Sequence, residues 1–368
     1  MKVNFISAHS ILTAHKTGVQ IHDINIIKSL IAMGHDVTIY DCQPKWKYDP
    51  QVLTQANDPE ILSRVVFSRI PARFARKLPL WMSFGRHAPS RDSICILDSF
   101  VPTGIYKDRS YAVIHDLMSM IYPQNYTNRK PYLTYFRQIG SLGGILANSH
   151  STKADYLKFF PCPEEKVHVL PCCIDDDYKK RTQELVSGSE PLYRNYFYYI
   201  GDMRANKNLA NAIKAFSEFS KRENHADYRF VIAGKKGAAY ESLFQTAKDC
   251  GCSEKVIFPG YISDAEKANI LLNATALVFV SEYEGFGIPV IESMACGVPV
   301  ITSNTSSMYE IGRDASMTVD PHDVYGIAAA MSQIVDQPDF VAELVEKGYR
   351  RAAEYTLAAQ QRCFQEIL

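Results

Sequence analysis

The chain is 368 residues long, with 46% apolar and 22% charged residues, the balance of a soluble globular protein and not of a disordered one. Its 40 Lys and Arg are matched by 40 Asp and Glu, so bulk electrostatics gives no reason to expect nucleic acid. The length predicts two domains of about 150–190 residues each, and nine scattered cysteines with no CxxC pair match no zinc spacing and read as reduced thiols of a cytoplasmic protein.

The N-terminal "MKVNFISAHS" turns polar too soon for a signal peptide and reads as a first strand, "VNFISA" (3–8). After the loop "HKTGVQ", the segment "GVQIHDINIIKSLIAMG" has helical periodicity, Gly34 ends it, and "DVTIYDC" resumes as a strand. Residues 61–91 hold seven Arg or Lys, no acidic residue, and Phe67, Phe74, Trp81 and Phe84 interleaved. Such a stretch suits an anionic membrane surface or a lipid-pyrophosphate acceptor, and it carries no nucleic-acid-binding motif. No apolar run reaches the ~18 residues needed to span a bilayer, so membrane contact is expected to be peripheral.

Strands at "ICILDS" (94–99), "YAVIHD" (111–116), "GILANS" (144–149) and "KVHVLP" (166–171) continue the βα rhythm of an open, mostly parallel sheet. The polar stretch 175–195 interrupts that rhythm and is the linker candidate. The D-x-D spacing in "IDDDY" (174–178) sits at this linker and not at a strand end, so no metal site is assigned to it. The rhythm restarts at "YFYYIG" (196–201) and runs through "RFVIAG" (229–234), "KVIFPGY" (255–261), "ALVFVSE" (276–282) and "PVITSN" (299–304), with helices between. The expected division is an N-terminal domain over 1–174, the linker 175–195, and a C-terminal domain over 196–338. The helical tail 339–368 is expected to pack back on the first domain. Ligands of such sheets sit at the carboxyl ends of the strands.

"EYEGFGIPVIESMACGVPV" (282–300) places Glu284 and Glu292 eight positions apart around a Gly-Phe-Gly turn. Pro289 is tolerated only in a first helical turn, which puts the helix start near Phe286–Ile288. The N–H groups of Gly285, Phe286 and Gly287 then point outward unpaired, favourable for phosphate or sugar oxygens, and the two glycines allow close approach. A carboxylate accepts from two adjacent hydroxyls, so the constellation suits a polyol beside a phosphate.

The E-x7-E pattern resembles the signature of retaining, nucleotide-sugar-dependent glycosyltransferases of family 4 (group 1). "YIGDMRANKNLANAIKAF", "VIFPGYISDAEKANILLNATALVFVS" and "IHDLMSMIYP" resemble that family's segments in the right order, densely in the C-terminal half and thinly in the N-terminal half. The likeness leans toward bacterial mannosyltransferases that build surface polysaccharides. It implies an α/β GT-B fold of two doubly wound Rossmann-like domains facing across an interdomain cleft. It also implies a retaining, metal-independent hexosyl transfer from a GDP- or UDP-linked sugar to a glycan or lipid-linked acceptor, with no cofactor. Glu292 would hold the ribose hydroxyls and Glu284 those of the donor sugar. Gly285, Phe286, Gly287 and Ile288 would lend backbone donors, and Tyr261 would join the donor site. Lys207 and Arg204 would face the diphosphate, although Asp202 stands where the family usually carries a basic residue. Gly18 would close over the phosphates, and His115 would hydrogen-bond the transferred sugar. A nucleotide-sugar epimerase, a phosphorylase of related fold, or a non-catalytic binding subunit are the alternatives.

Overall fold

The structure, a computed structural model, describes every residue except 8–10, 14–15, 56–57 and 238. The chain forms two compact units, one of residues 1–173 with 357–368 and the other of residues 174–356.

The first unit is built on seven strands: β1 (Lys2–Ser7), β2 (Asp36–Asp41), β3 (Val65–Phe67), β4 (Ile94–Asp98), β5 (Ser110–Ile114), β6 (Gly144–Ala147) and β7 (Val167–Val169). Their order is β3-β2-β1-β4-β5-β6-β7, and every pair is parallel. Val3, Phe5, Ile6, Ile96 and Leu97 are fully buried, so successive residues, whose side chains leave opposite faces, are all covered. A parallel sheet sheathed on both faces requires this, and it explains why these strands read as continuous apolar runs. One core cluster gathers Phe5, Ile26, Leu30, Val113 and Phe364, and the other Ile6, Tyr40, Leu97, Ile114 and Phe136.

The second unit repeats the plan with β8 (Tyr196–Ile200), β9 (Arg229–Ala233), β10 (Val256–Gly260), β11 (Ala276–Phe279), β12 (Val300–Ser303) and β13 (Met317–Val319). The order is β10-β9-β8-β11-β12-β13, again all parallel. In each sheet the strand order reverses direction beside the first strand, between β1 and β4 and between β8 and β11. Loops leaving the carboxyl ends on the two sides of such a reversal part and leave a crevice.

The expected division of the chain needs two corrections. Residues 175–195 are not a free linker: Tyr178–Leu185 is a helix packed on the helices Asp264–Leu272 and Ile288–Cys296. Its anchors are polar, which is why a search for apolar residues passes over them. Buried Asn269 accepts from the Leu192 N–H at 2.8 Å and donates to the Glu190 carbonyl at 2.8 Å. Lys179 Nζ donates to the Tyr349 hydroxyl at 2.7 Å.

The tail also divides. The helix Pro338–Ala352 stays with the second unit, where Gly348 lies against Met294 and buried Arg351 bonds the carbonyls of Glu310 and Ile311. Only Leu357–Ile367 belongs to the first unit. There Phe364 is fully buried, and Gln360 accepts from Ser29 Oγ and donates to the Pro171 carbonyl, both at 2.8 Å. No helix among the described residues is long and apolar enough to cross a membrane.

Candidate functional site

The site in the second unit starts at β11. Its loop runs from Val280 to Gly287, and the helix Ile288–Cys296 follows with Pro289 in its first turn. The loop is held by polar side chains. Asn206 Nδ2 donates to the Tyr283 carbonyl at 3.1 Å, and the Glu282 N–H donates to the Asn206 carbonyl at 2.9 Å. Asn208, in left-handed backbone at φ 55°, donates to the carbonyls of Val280 and Pro321. Ser307 Oγ bonds the carbonyls of Glu284 and Phe286 at 2.9 and 2.8 Å. Phe286 itself turns inward, 4% exposed, against the Tyr355 ring. Gly287 caps the helix at φ 124°, backbone that disfavours any side chain, and a Cβ there would sit 2.3 Å from Met308 Cε.

Two ion pairs flank this helix start. Lys207, from the loop after β8, places Nζ 2.6 Å from Glu284 Oε1, the side chains being 17% and 13% exposed. The two residues leave neighbouring strands on opposite sides of the sheet's reversal, and the Lys207 ammonium also lies 5.6 Å from the centre of the Phe279 ring. Glu292, one turn into the helix and 5% exposed, pairs with Lys267 at 2.7 Å. Lys267 stands on the helix Asp264–Leu272, whose start is set by the reciprocal capping bonds of Ser263 and Glu266. Burial, and then the charge of Glu292, push the Tyr178 phenol well above its usual range, as burial followed by Glu284 does for Tyr199. Both phenols therefore stay neutral beside these carboxylates.

Not every expected residue joins the group. Arg204 is 70% exposed and bonds Asp202 at 3.0 Å, a surface pair in the loop that carries Lys207. Tyr261 is 57% exposed; burial raises its phenol first, Asp264 adds to the rise, and Lys267 opposes it, so it borders the Glu292–Lys267 pair from the surface side. Gly18 is the exposed first residue of the helix Gly18–Ala32, behind Thr17, whose N–H donates to Gln20 Oε1 at 2.9 Å. Residues 14–15 of the same loop lie outside the described residues.

In the first unit, His115 follows β5 and its Nε2 lies 3.2 Å from Asp98 Oδ1 and 3.6 Å from Asp23 Oδ1. Asp98 ends β4, and Asp23 stands on the helix after β1, so the three gather beside that sheet's reversal. Sequence reasoning found His115 but passed over Asp98, Asp23 and Lys267. Asp98 carried a signal, a carboxylate closing the apolar run of "ICILDS". Lys267 and Asp23 carried none, since a charged residue inside a helix ordinarily faces water.

Two family models match the chain one after the other: "Glycosyltransferase Family 4" over residues 16–178 and "Glycosyl transferases group 1" over residues 181–351. The O-antigen chain mannosyltransferase B of Escherichia coli is 25% identical over 256 residues, which are 68% of this chain and 67% of that protein. The O-antigen chain mannosyltransferase RfbU of Salmonella typhimurium is 28% identical over 236 residues, 62% of each. The matched stretch thus spans about two thirds of these relatives' length or less. Among solved structures, WaaG, a glycosyltransferase involved in lipopolysaccharide biosynthesis, superposes with a TM-score of 0.70 at 15% identity, covering 99% of both chains, which establishes the shared GT-B fold. With both halves matched in order and the carboxylate pair set at the helix start, the chain belongs to the group 1, family 4 glycosyltransferases.

Proposed function

We propose that the protein transfers a hexose, mannose by the names of its relatives, from a nucleoside diphosphate sugar to a hydroxyl of a growing glycan or lipid-linked glycan in surface polysaccharide synthesis. The observation that carries this reading is the Lys207–Glu284 pair beside the Gly287 helix start. The two groups neutralise each other at 2.6 Å. A donor offers each a better partner: its diphosphate takes the ammonium and the helix N–H groups, and its sugar hydroxyls take the carboxylate. Glu292 and Lys267 make the same exchange with the ribose hydroxyls.

The glycosidic C1–O bond to phosphate breaks as C1 bonds the acceptor oxygen, and the acceptor's proton passes to the departing phosphate. Configuration is retained by this front-face route. Lys207 and the helix start receive the leaving charge, so the reaction runs without a metal ion. His115 is assigned to the transferred sugar. The surface strip at 61–91 is the membrane face: Phe74 and Trp81 are 47% and 65% exposed amid exposed Arg73, Arg76, Lys77 and Arg86, while Phe84 turns into the core. Cationic side chains with two outward aromatics fit an anionic lipid surface and the lipid-linked acceptor it carries.

A thermal-shift panel of GDP-, UDP- and ADP-sugars tests the donor site, because a ligand bound only by the folded state raises the melting temperature. One of these donors is expected to raise the melting temperature well above the others and to support transfer. Glu292→Ala should weaken donor binding by about 1.5–3 kcal/mol, and Lys207→Ala should lower kcat by about ten- to a hundredfold with less effect on binding. Full activity in both variants would remove the site assignment. Free epimer, or a requirement for inorganic phosphate, would replace transfer with one of the related reactions.

A further inference from the structure

The His115 cluster sets two buried carboxylates, Asp98 and Asp23, beside one imidazole. Asp98 is fully buried and accepts from Ser7 Oγ at 3.1 Å and Ser99 Oγ at 2.7 Å, with His115 Nε2 at 3.2 Å. The two serine hydroxyls bonded to it favour its ionised form. Asp23 is just as buried, yet neither of its oxygens meets a donor in the structure. Its carboxyl lies against that of Asp98, and two acceptor-only anions cannot bond each other. A second bare anion in that place would be far costlier than a proton.

We infer that Asp23 holds a proton and donates it to Asp98, and that Asp98 in turn positions His115 by accepting from its Nε2. Among the described residues, the other titratable groups packed around the cluster, His22, Tyr135 and Cys172, are neutral. His22, edge-on to the His115 ring at 5.5 Å, has its imidazole pushed down by burial and then by His115. Tyr135, whose hydroxyl donates to the Val113 carbonyl, and Cys172 are both raised by burial first. Burial, then the charge of Asp98, then the bond to it act in the same upward direction on Asp23. Asp98 is therefore the single anion of the cluster among the described residues. Asp98 is a positioning residue and touches no substrate. Its effect on turnover rests on the reading of His115 given above, while the protonation of Asp23 does not.

Two spectroscopic measurements need no substrate. The infrared difference between wild type and Asp23→Asn at neutral pH should show the carbonyl stretch of a protonated carboxyl group. If that variant fails to fold, carboxyl 13C resonances of aspartate-labelled wild type should show one buried carboxyl protonated at neutral pH. Nitrogen-15 spectra should place the His115 proton on Nε2, and Asp98→Asn should release it. The same variant should lower kcat/KM on the order of tenfold and shift its pH profile. An ionised Asp23, unchanged His115 nitrogens in Asp98→Asn, or one divalent cation bound per chain and lost in that variant would overturn the inference. A wild-type protein inactive with every donor would instead remove the proposed function and leave the spectra standing.

Discussion

At the scale of single residues, the charged groups placed by a strand end or a helix start were legible and those further inside helices were not. Glu284, Glu292 and Lys207 follow strands or open a helix, so their positions in the chain already place them at a sheet's carboxyl end. Asp23 lies inside the helix Gly18–Ala32 beside buried His22 and Asn25, a run of polar residues that periodicity assigns to water. Its burial has a thermodynamic consequence of definite sign. The folded-state pKa of Asp23 is raised above the unfolded value, so the native chain binds this proton more tightly than the unfolded chain. The contribution is complete below the unfolded carboxylate pKa of about 3.9 and is lost as pH rises toward the folded value. Asp23→Asn removes the titration. Its stability relative to wild type should rise with pH above about 4, by up to about 1.4 kcal/mol per unit. Urea melts across that range would show it, and a pH-independent difference would contradict a protonated Asp23.

Among elements, the helix Ile288–Cys296 illustrates how far local rules reach. Pro289 and the two glycines placed its start correctly, because a missing N–H and a positive φ are local matters. What grips that start is not local: Ser306 and Ser307 come from the following βα connection, and Tyr355 from beyond the helix Pro338–Ala352. Gly287→Ala tests the turn. The added methyl meets both a left-handed backbone and Met308 Cε at 2.3 Å, so the variant should lose about 3 kcal/mol or more. Gly34→Ala shares the positive φ but has nothing within 4 Å, and should lose only about 1–2 kcal/mol. Equal losses in denaturant melts would show that Met308 gives way and that backbone strain alone matters. The segment 178–192 shows the opposite limit, hidden from apolar patterning because Lys179 of the helix Tyr178–Leu185 bonds Tyr349 and Asn269 bonds the backbone of Glu190 and Leu192.

For the whole molecule, the basic strip at 61–91 predicts that vesicles containing anionic lipid capture the protein at low salt and that neutral vesicles do not. Trp81→Ala with Phe74→Ala should weaken capture, and added salt should release it, since exposed charges are screened over about 10 Å at 0.1 M. Co-sedimentation decides the matter: capture that is indifferent to lipid charge removes the membrane face. The sequence by itself determined the class of fold, the two parallel sheets, the helix start between Glu284 and Glu292, and the family, because strand runs, glycine turns and proline positions act through nearest neighbours. Only the tertiary structure decided that Lys207 meets Glu284, that Lys267 meets Glu292, that Asp23 is buried against Asp98, and that Leu357–Ile367 returns to the first unit while Pro338–Ala352 does not. Those pairings join residues from 25 to 331 positions apart, and only sheet order and packing bring them together.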